Sequence, residues 1–433
     1  MSMLGVALLL AAPASAQPAF TPLGDLPGAW EYSEATGVSA DGGTVVGASV
    51  VAGSGIVSYL AAFAWSPETG LFNIYDLSGA GATIRAAAAN HDGSIIVGTA
   101  DHGFFSDQGS QPFIWTAGTG AIEIGDLPGG VSGVPRAGAR AITPDAAFIA
   151  CVGESESGTE SYLYRVATGE MTPIGDLPGG TFASYSLAMS ADGLVLVGVS
   201  DSSMGQQAFR WTLAGGIQPM GYLPMPPTTA RYSQATAISA DGGVIAGSSR
   251  SFNASPNGEE AFRWTQATGM VPLGDLPGGS FQSTPLAMNH DGSVIVGRGY
   301  VAGACGPFGC GSAAHAFIWD ADHGMRDLND LVTSLGIDLT GWVLQEARGI
   351  SADGRIIVGT GLNPSGAVEA WRFDFGPPPP CPADWNGDRF VDSQDFFDFL
   401  SALFVGAADF NHDGFVNSQD FFDFLAVFLQ GCP

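Results

Sequence analysis

The sequence predicts an all-β chain, a seven-bladed β-propeller closed by an N-terminal strand, followed by a small α-helical module. Three observations carry that expectation. An acidic turn, Ser-Ala-Asp-Gly or a close variant, recurs with its aspartate at Asp41, Asp92, Asp145, Asp192, Asp241, Asp291 and Asp353, at intervals of 51, 53, 47, 49, 50 and 62 residues. Each interval holds short apolar runs parted by Gly/Pro turns, the pattern of propellers and repeat arrays. After the last unit the composition shifts abruptly to Asp, Asn and Phe.

Residues 1–16 read as a secretory leader. Leu4 to Ala12 is apolar and Ala14-Ser15-Ala16 has the form of a cleavage site, although the start lacks Lys or Arg. No later run reaches eighteen apolar residues, so no membrane-spanning helix is expected. The 433-residue chain carries 42 acidic and 14 basic residues, every basic one an arginine, for a net charge of -28. Such a charge repels phosphate backbones and anionic membranes, so nucleic acid is excluded as a partner.

Residues 17–375 hold the repeats, and the fifth shows their grammar. Ala235–Ser239, Val244–Gly247, Ala261–Trp264 and Val271–Leu276 are each too short for a helix and bounded by turn formers, so they read as strands a to d. Asp-Gly between a and b reads as a tight hairpin, which makes the repeated aspartates turn residues rather than ligands. Strand a is built of small residues, as in Ala86–Ala89, where strands converge on an axis. Strand c repeats as Ala62-Phe63-Ala64-Trp65, Pro112-Phe113-Ile114-Trp115, Ala208-Phe209-Arg210-Trp211, Ala261-Phe262-Arg263-Trp264 and Ala316-Phe317-Ile318-Trp319. Its Phe and Trp share one face and fill the wider space between blades; recurrence argues for packing over a sugar-stacking platform. The chain opens on a d phrase, Leu23–Leu26, and closes on a c phrase, Ala370–Phe373, so pairing the two would close a ring. Unit three departs most: Asp145-Ala146-Ala147 lacks the turn glycine, and Gly153 stands two residues late.

The turn Asp-Gly, the Val-Gly after strand b, the Ala-Phe-x-Trp and the Gly-Asp-Leu-Pro-Gly-Gly together resemble the bacterial extracellular HAF repeat. Asp327-Leu328-Asn329, Gly341-Trp342 and Ala347–Ile350 resemble that family's closing unit. The resemblance implies an architecture and an extracellular setting, and no chemistry.

Residues 376–380, Gly-Pro-Pro-Pro-Pro, form a stiff spacer reaching about 3 Å per residue. Residues 381–433 follow with two loops, Asp384–Asp395 and Asp409–Asp420, 25 residues apart. Oxygen donors fall at loop positions 1, 3, 5, 9 and 12, with the carbonyl of position 7: Asp384, Asn386, Asp388, Phe390, Asp392 and Asp395, then Asp409, Asn411, Asp413, Phe415, Asn417 and Asp420. That is EF-hand-type spacing for a hard cation, so two Ca²⁺ sites are expected, the first weakened by Arg389 at the usual glycine position. Each loop is followed by Phe-Phe-Asp-Phe-Leu. Phe396, Phe399, Leu400 and Leu403, with Phe421, Phe424, Leu425 and Phe428, lie at helical spacing and should form the core; Phe397 and Phe422 remain for a partner. The tail resembles a GC-type dockerin, which implies a cohesin-like or envelope scaffold partner. Ser393-Gln394 and Ser418-Gln419 stand where the resemblance implies partner contacts, but the reading as helix starts is favoured.

Five cysteines in an exported chain invite pairing. Cys305 and Cys310 flank a short loop, and Cys381 and Cys432 bracket the tail, where a bridge would add about 4 kcal/mol on the chain-entropy account. Cys151 is left as a buried thiol in strand b.

Three function classes fit: a binding or structural propeller anchored through its tail, which the balance favours, a carbohydrate-active hydrolase or lyase acting at the axis, and a self-associating surface-layer component. No nucleophile elbow, triad signature or zinc-spaced cluster is present. The d-to-a loops carry Trp30, Glu31, Tyr32, Arg85, Arg136, Arg140, Tyr185, Arg231, Tyr232 and Arg348. These suit an anionic or glycan ligand, or simply balance an acidic surface.

Overall fold

The computed structural model describes residues 17–28, 30–52, 58–75, 83–102, 109–130, 137–227, 230–255, 258–306, 309–376, 382–385, 391, 393–411 and 414–430. The chain divides into two compact units, one of them Ala19–Asp374.

Within Ala19–Asp374 almost everything is antiparallel strand. One sheet contains two four-strand groups, Ser33–Val38, Val45–Ala52, Ser58–Ser66 and Gly70–Tyr75, then Thr83–Ala89, Ile95–Asp101, Ser110–Thr116 and Gly120–Glu123. A single parallel pair, Leu60 with Thr83, joins the groups. Three further four-stranded sheets begin at Gly138–Ile142, Ser184–Met189 and Ser233–Ile238, and a fourth runs from Thr284–Met288 to Gly324–Asp327. The last is composite: Val343–Ile350, Ile356–Leu362 and Val368–Asp374 follow one another, and the fourth strand is Ala19–Pro22 from the other end of the chain. Ala19 faces Asp374 and Pro22 faces Trp371, while Phe20 packs edge-on against Trp342 at 5.1 Å.

The repeated turn is wider than the tight hairpin expected from Asp-Gly. Ser39-Ala40-Asp41-Gly42 closes with Gly42 N–H donating to the Ser39 carbonyl, and Gly42 takes φ 77°. The Ser39 hydroxyl and the Gly43 N–H donate to Asp41 Oδ1 at 2.5 and 2.8 Å, and Thr44 N–H donates to Ser39 Oγ at 2.9 Å. Ser239 and Asp241, Ser351 and Asp353, and Thr143 and Asp145 repeat this pattern. The hydroxyl bond, then the N–H bond, hold the Asp241 and Asp145 carboxyls below the usual range. The aspartates are thus spent on the turn.

Neighbouring turns are also tied to each other. Asp41 N–H donates to His91 O, His91 to Pro144, Ala191 to Ala240, Ala240 to His290, His290 to Ala352, and Ala352 back to Ala40 O at 2.8 Å. The step from Pro144 to Ala191 is absent among these because proline has no N–H. Ser33–Val38 correspondingly packs against both Thr83–Ala89 and Val343–Ile350.

In several of the four-strand groups an aromatic of the third strand lies on a glycine of the second. A Cβ on Gly47 would stand 2.0 Å from the Glu34 carbonyl and 2.7 Å from the Phe63 ring; Gly98 with Phe113, Gly247 with Phe262 and Gly297 with Phe317 are equivalent. These phenylalanines are fully buried, whereas Trp115, Trp264 and Trp319 are only partly so. Trp65 and Trp211, by contrast, are buried with the phenylalanines, so the Trp position of strand c varies in depth from sheet to sheet while the Phe position does not. In unit three Cys151, not Gly153, holds the glycine place, since Ala139, Cys151 and Tyr162 pair as Ala35, Gly47 and Phe63 do. No residues are inserted there.

The 62-residue interval houses a helix that the repeat pattern did not predict, α1 (Leu328–Ser334), capped by Asp327 accepting from Asn329 N–H. The Asn329 side chain also bonds both the N–H and the C=O of Leu344, pinning α1 to the following strand.

The segment after Phe375 forms α2 (Ser393–Phe404) and α3 (Ser418–Gln430), as expected. Phe399 and Phe424 are fully buried and stack with centroids 4.0 Å apart and planes within 3°. Phe397 and Phe422 are 58% and 60% exposed. Among the described residues no helix is long and apolar enough to span a membrane. The leader 1–16 and the proline spacer from 377 lie outside the described residues.

Candidate functional site

A chain of opposite charges runs across the beginnings of the first strands. Seven residues before each repeated aspartate stand Glu34, Arg85, Gly138, Tyr185, Gln234, Thr284 and Glu346. Arg85 reaches back to the Glu34 carboxylate, which also accepts from the Tyr32 hydroxyl at 3.3 Å. Arg298, from the sheet before, donates to Glu346 Oε1 at 2.6 Å, and Arg348 places Nε and Nη2 on Glu346 Oε2 at 2.7 and 2.6 Å. Glu259 extends the chain by accepting from the Ser248 hydroxyl and facing Arg250 and Arg298; burial raises its pKa.

The first strands position these groups through a β-bulge shared by all seven. Thr36, Ala87, Arg140, Leu187, Thr236, Leu286 and Arg348 are the extra residues. A bulge re-aims a side chain away from the ladder. Thr36 uses it to donate to a carbonyl of the next four-strand group, Thr236 to a carbonyl of the next sheet, and Arg348 to reach Glu346.

Of the residues singled out in sequence, Tyr32, Arg85 and Arg348 come together. Loss of surrounding water lowers the pKa of Arg85, and its neighbour Arg348 adds to that shift. Arg140, at the third bulge, is likewise lowered by loss of water. Tyr185 is exposed at its register position, and Tyr232 is pushed up to about 12 by burial and then by Glu259. Trp30 is exposed, Glu31 accepts from Ser365, and Arg231 lies over the Tyr222 ring. Arg136 lies outside the described residues. Sequence reasoning missed Glu34, Glu259, Arg298 and Glu346, although the constant offset of seven from each aspartate would have aligned Glu34, Arg85 and Glu346.

Other polar sets are local. His102 pairs with Glu123, which also accepts from Tyr75, and His315 pairs with Asp327 and His323 with Asp320. Among the described residues no Ser, Thr or Cys bonds to these imidazoles, so they form no nucleophile system. Burial pushes the Cys151 thiol up to about 12, which keeps it neutral and inert. Cys305 and Cys310 are paired opposite each other on adjacent strands, but their side chains, and Cys381 and Cys432 entirely, lie outside the described residues.

In the tail the described part of the second loop is wound around its own carboxylates. Asp409 Oδ2 accepts from Gly414 N–H at 2.9 Å, where Gly414 takes φ 88° at the sharp-turn position. Asp420 is fully buried; its Oδ1 accepts from Phe410 and Asn411 N–H and its Oδ2 from Asn417 N–H. The Asn417 bond leads in holding its pKa down. Asn417 also donates to the Phe415 carbonyl. Asp395, the counterpart of Asp420, is fully buried too, and Asp384 begins the first loop. Asn386, Asp388, Arg389, Phe390, Asp392 and Asp413 lie outside the described residues. Among the described residues no group of three or more His, Cys, Asp or Glu converges as a metal cluster.

No known protein family matches this chain, and no curated protein does. Solved structures do. Oligogalacturonate lyase from Vibrio parahaemolyticus superposes with a TM-score of 0.50 at 10% identity, covering 84% of this chain and 98% of its own. TolB from Acinetobacter baumannii gives 0.42 at 14% identity, over 76% and 79%. At 10% identity the likeness to the lyase speaks to architecture alone. Taken with the four-stranded antiparallel sheets, it makes Ala19–Asp374 a β-propeller.

Proposed function

We propose that this chain is a secreted or cell-surface binding propeller, non-enzymatic, whose seven blades close into a ring and whose dockerin-like tail anchors it by calcium to a cohesin-like or envelope scaffold protein. Closure is supported by the pairing of Ala19–Pro22 with Val368–Asp374 and by the turn-to-turn bond from Ala352 back to Ala40. The extracellular HAF-repeat resemblance and the leader-like residues 1–16 support export.

One observation carries the anchoring: in both loops the position-12 carboxylate, Asp395 or Asp420, is withdrawn wholly from solvent beneath a helix start, and Asp420 organises the loop's N–H groups. The donors fit calcium. Asp384, Asn386, Asp388, the Phe390 carbonyl, Asp392 and Asp395 would hold one ion; Asp409, Asn411, Asp413, the Phe415 carbonyl, Asn417 and Asp420 would hold the other. A bound ion would supply charge neutralisation rather than chemistry, and the exposed Phe397 and Phe422 would then be presented on a fixed pair of helices.

Calorimetric titration of the full chain with calcium tests this. Two sites are expected in the range of about 0.1 to 1 mM or tighter, as for extracellular modules. Removing residues 377–433 should abolish the heat, and Asp413→Ala should remove one site. Absence of calcium uptake by the full chain would remove the anchoring mechanism. The likeness to the lyase is one of architecture and carries no reaction over to this chain.

A further inference from the structure

We propose that the arginine cluster at the beginnings of the first strands is a binding site for a carboxylate group, carried by an acidic sugar or a small organic acid. The site lies in the propeller unit and is independent of the calcium reading of the tail.

Its charge is the opposite of the molecule's. Four of the fourteen arginines, Arg85, Arg250, Arg298 and Arg348, meet three glutamates here, leaving one positive charge in excess on a chain of net charge -28. A purely structural ion network would have reason to balance. This one instead brings two guanidiniums of like charge, Arg85 and Arg348, within electrostatic reach of each other. Their side chains are 43% and 37% exposed, so the space they share is open to a solute.

The donors are also incompletely used. Arg348 spends Nε and Nη2 on Glu346, which leaves its Nη1 edge for another acceptor. Arg298 Nε and the Thr360 hydroxyl are buried with no hydrogen-bond partner, and both flank Glu346: Arg298 bonds it, and Thr360 is its cross-strand partner, only 8% exposed. Buried donors in native proteins are ordinarily satisfied, so unspent ones beside an arginine pair mark a place for an acceptor.

The class of acceptor follows from shape and charge. A guanidinium fork matches the two coplanar oxygens of a carboxylate. A single local positive charge neutralises one carboxylate, whereas a phosphate dianion would leave excess negative charge in a strongly negative field.

Calorimetry on the full chain at low salt should use glucuronic acid, its methyl ester and lactate, each acid carrying one carboxylate. Glucuronic acid or lactate should bind and the ester should not; binding by glucuronic acid alone identifies an acidic sugar, and equal binding by lactate identifies an organic acid. Arg348→Gln should weaken binding at least tenfold, while Arg165→Gln, on a separate surface pair with Glu170, should leave it unchanged. Thr360→Val, which keeps the side-chain shape, should weaken it severalfold and serves if Arg348→Gln melts early. The proposal is overturned if neither acid binds, if the ester binds as well as the acid, or if the folded variants bind like the native chain.

Discussion

Ala146 shows how strongly the repeat imposes its turn on a residue that resists it. Six of the seven turns place glycine at positive φ, from 69° at Gly292 to 77° at Gly42, and the third forces Ala146 to 58°. A side chain in that region costs about 1 to 2 kcal/mol, part of which glycine's freedom in the unfolded chain would return. Ala146→Gly should therefore raise stability by about 0.5 to 1 kcal/mol, read from denaturant midpoints at constant slope; a loss of stability would mean that the buried methyl matters more than the backbone. Asp275 is a second strained residue, its pKa raised to about 6 first by burial, with Glu260 adding repulsion. A carboxyl raised in the folded state favours folding while protonated, and that contribution fades as pH rises from about 4 through about 6. Asp275→Asn, which keeps an oxygen for the Gln282 N–H, should thus raise the melting temperature at pH 8 and leave it nearly unchanged at pH 4. Equal shifts at both pH values would refute the charge explanation.

At the level of the strand and the helix, what the sequence made legible was whatever repeats. Strands a to d, the acidic turns and the two tail helices follow from spacing and turn chemistry because each is fixed by neighbours a few residues away. The difference in depth within strand c was not legible, since Phe262 and Trp264 share a face and only the depth of the cross-strand glycine separates a buried ring from a half-buried one. Helix α1 was hidden for a different reason. It occurs once, in the long interval, and its stability depends on Asp327 capping it and on Asn329 bonding to Leu344 fifteen residues away. The candidate site was half legible. Arg85 and Arg348 stand out in sequence as charges in loops, but their carboxylate partners Glu34 and Glu346 become visible only when the first strands are laid side by side, and Arg298 comes from a second strand of another sheet.

For the whole molecule, an arrangement of separate four-stranded sheets leaves each with only a short edge strand to the outside, which limits pairing with other chains. Ala19–Pro22 covers the outer edge of Val368–Asp374, and Phe20 adds ring contacts with Trp342 and Trp371 at 5.1 and 6.4 Å. Four residues make few bonds, yet their loss should be felt everywhere if the ring is closed. Each first strand is held by both neighbours, and, save for the step after Pro144, turn bonds run from one repeat to the next until Ala352 meets Ala40. Loosening the last sheet would then loosen the first. Deleting Ala19–Pro22 is expected to lower a single melting transition of the whole propeller and to promote association through the bared edge. An open array responds otherwise, because its repeats are coupled only to their neighbours: loss of an end strand would soften one end and leave the main transition in place. Scanning calorimetry paired with light scattering separates these outcomes, and a truncated chain that melts as the intact one does would rule out the closed ring.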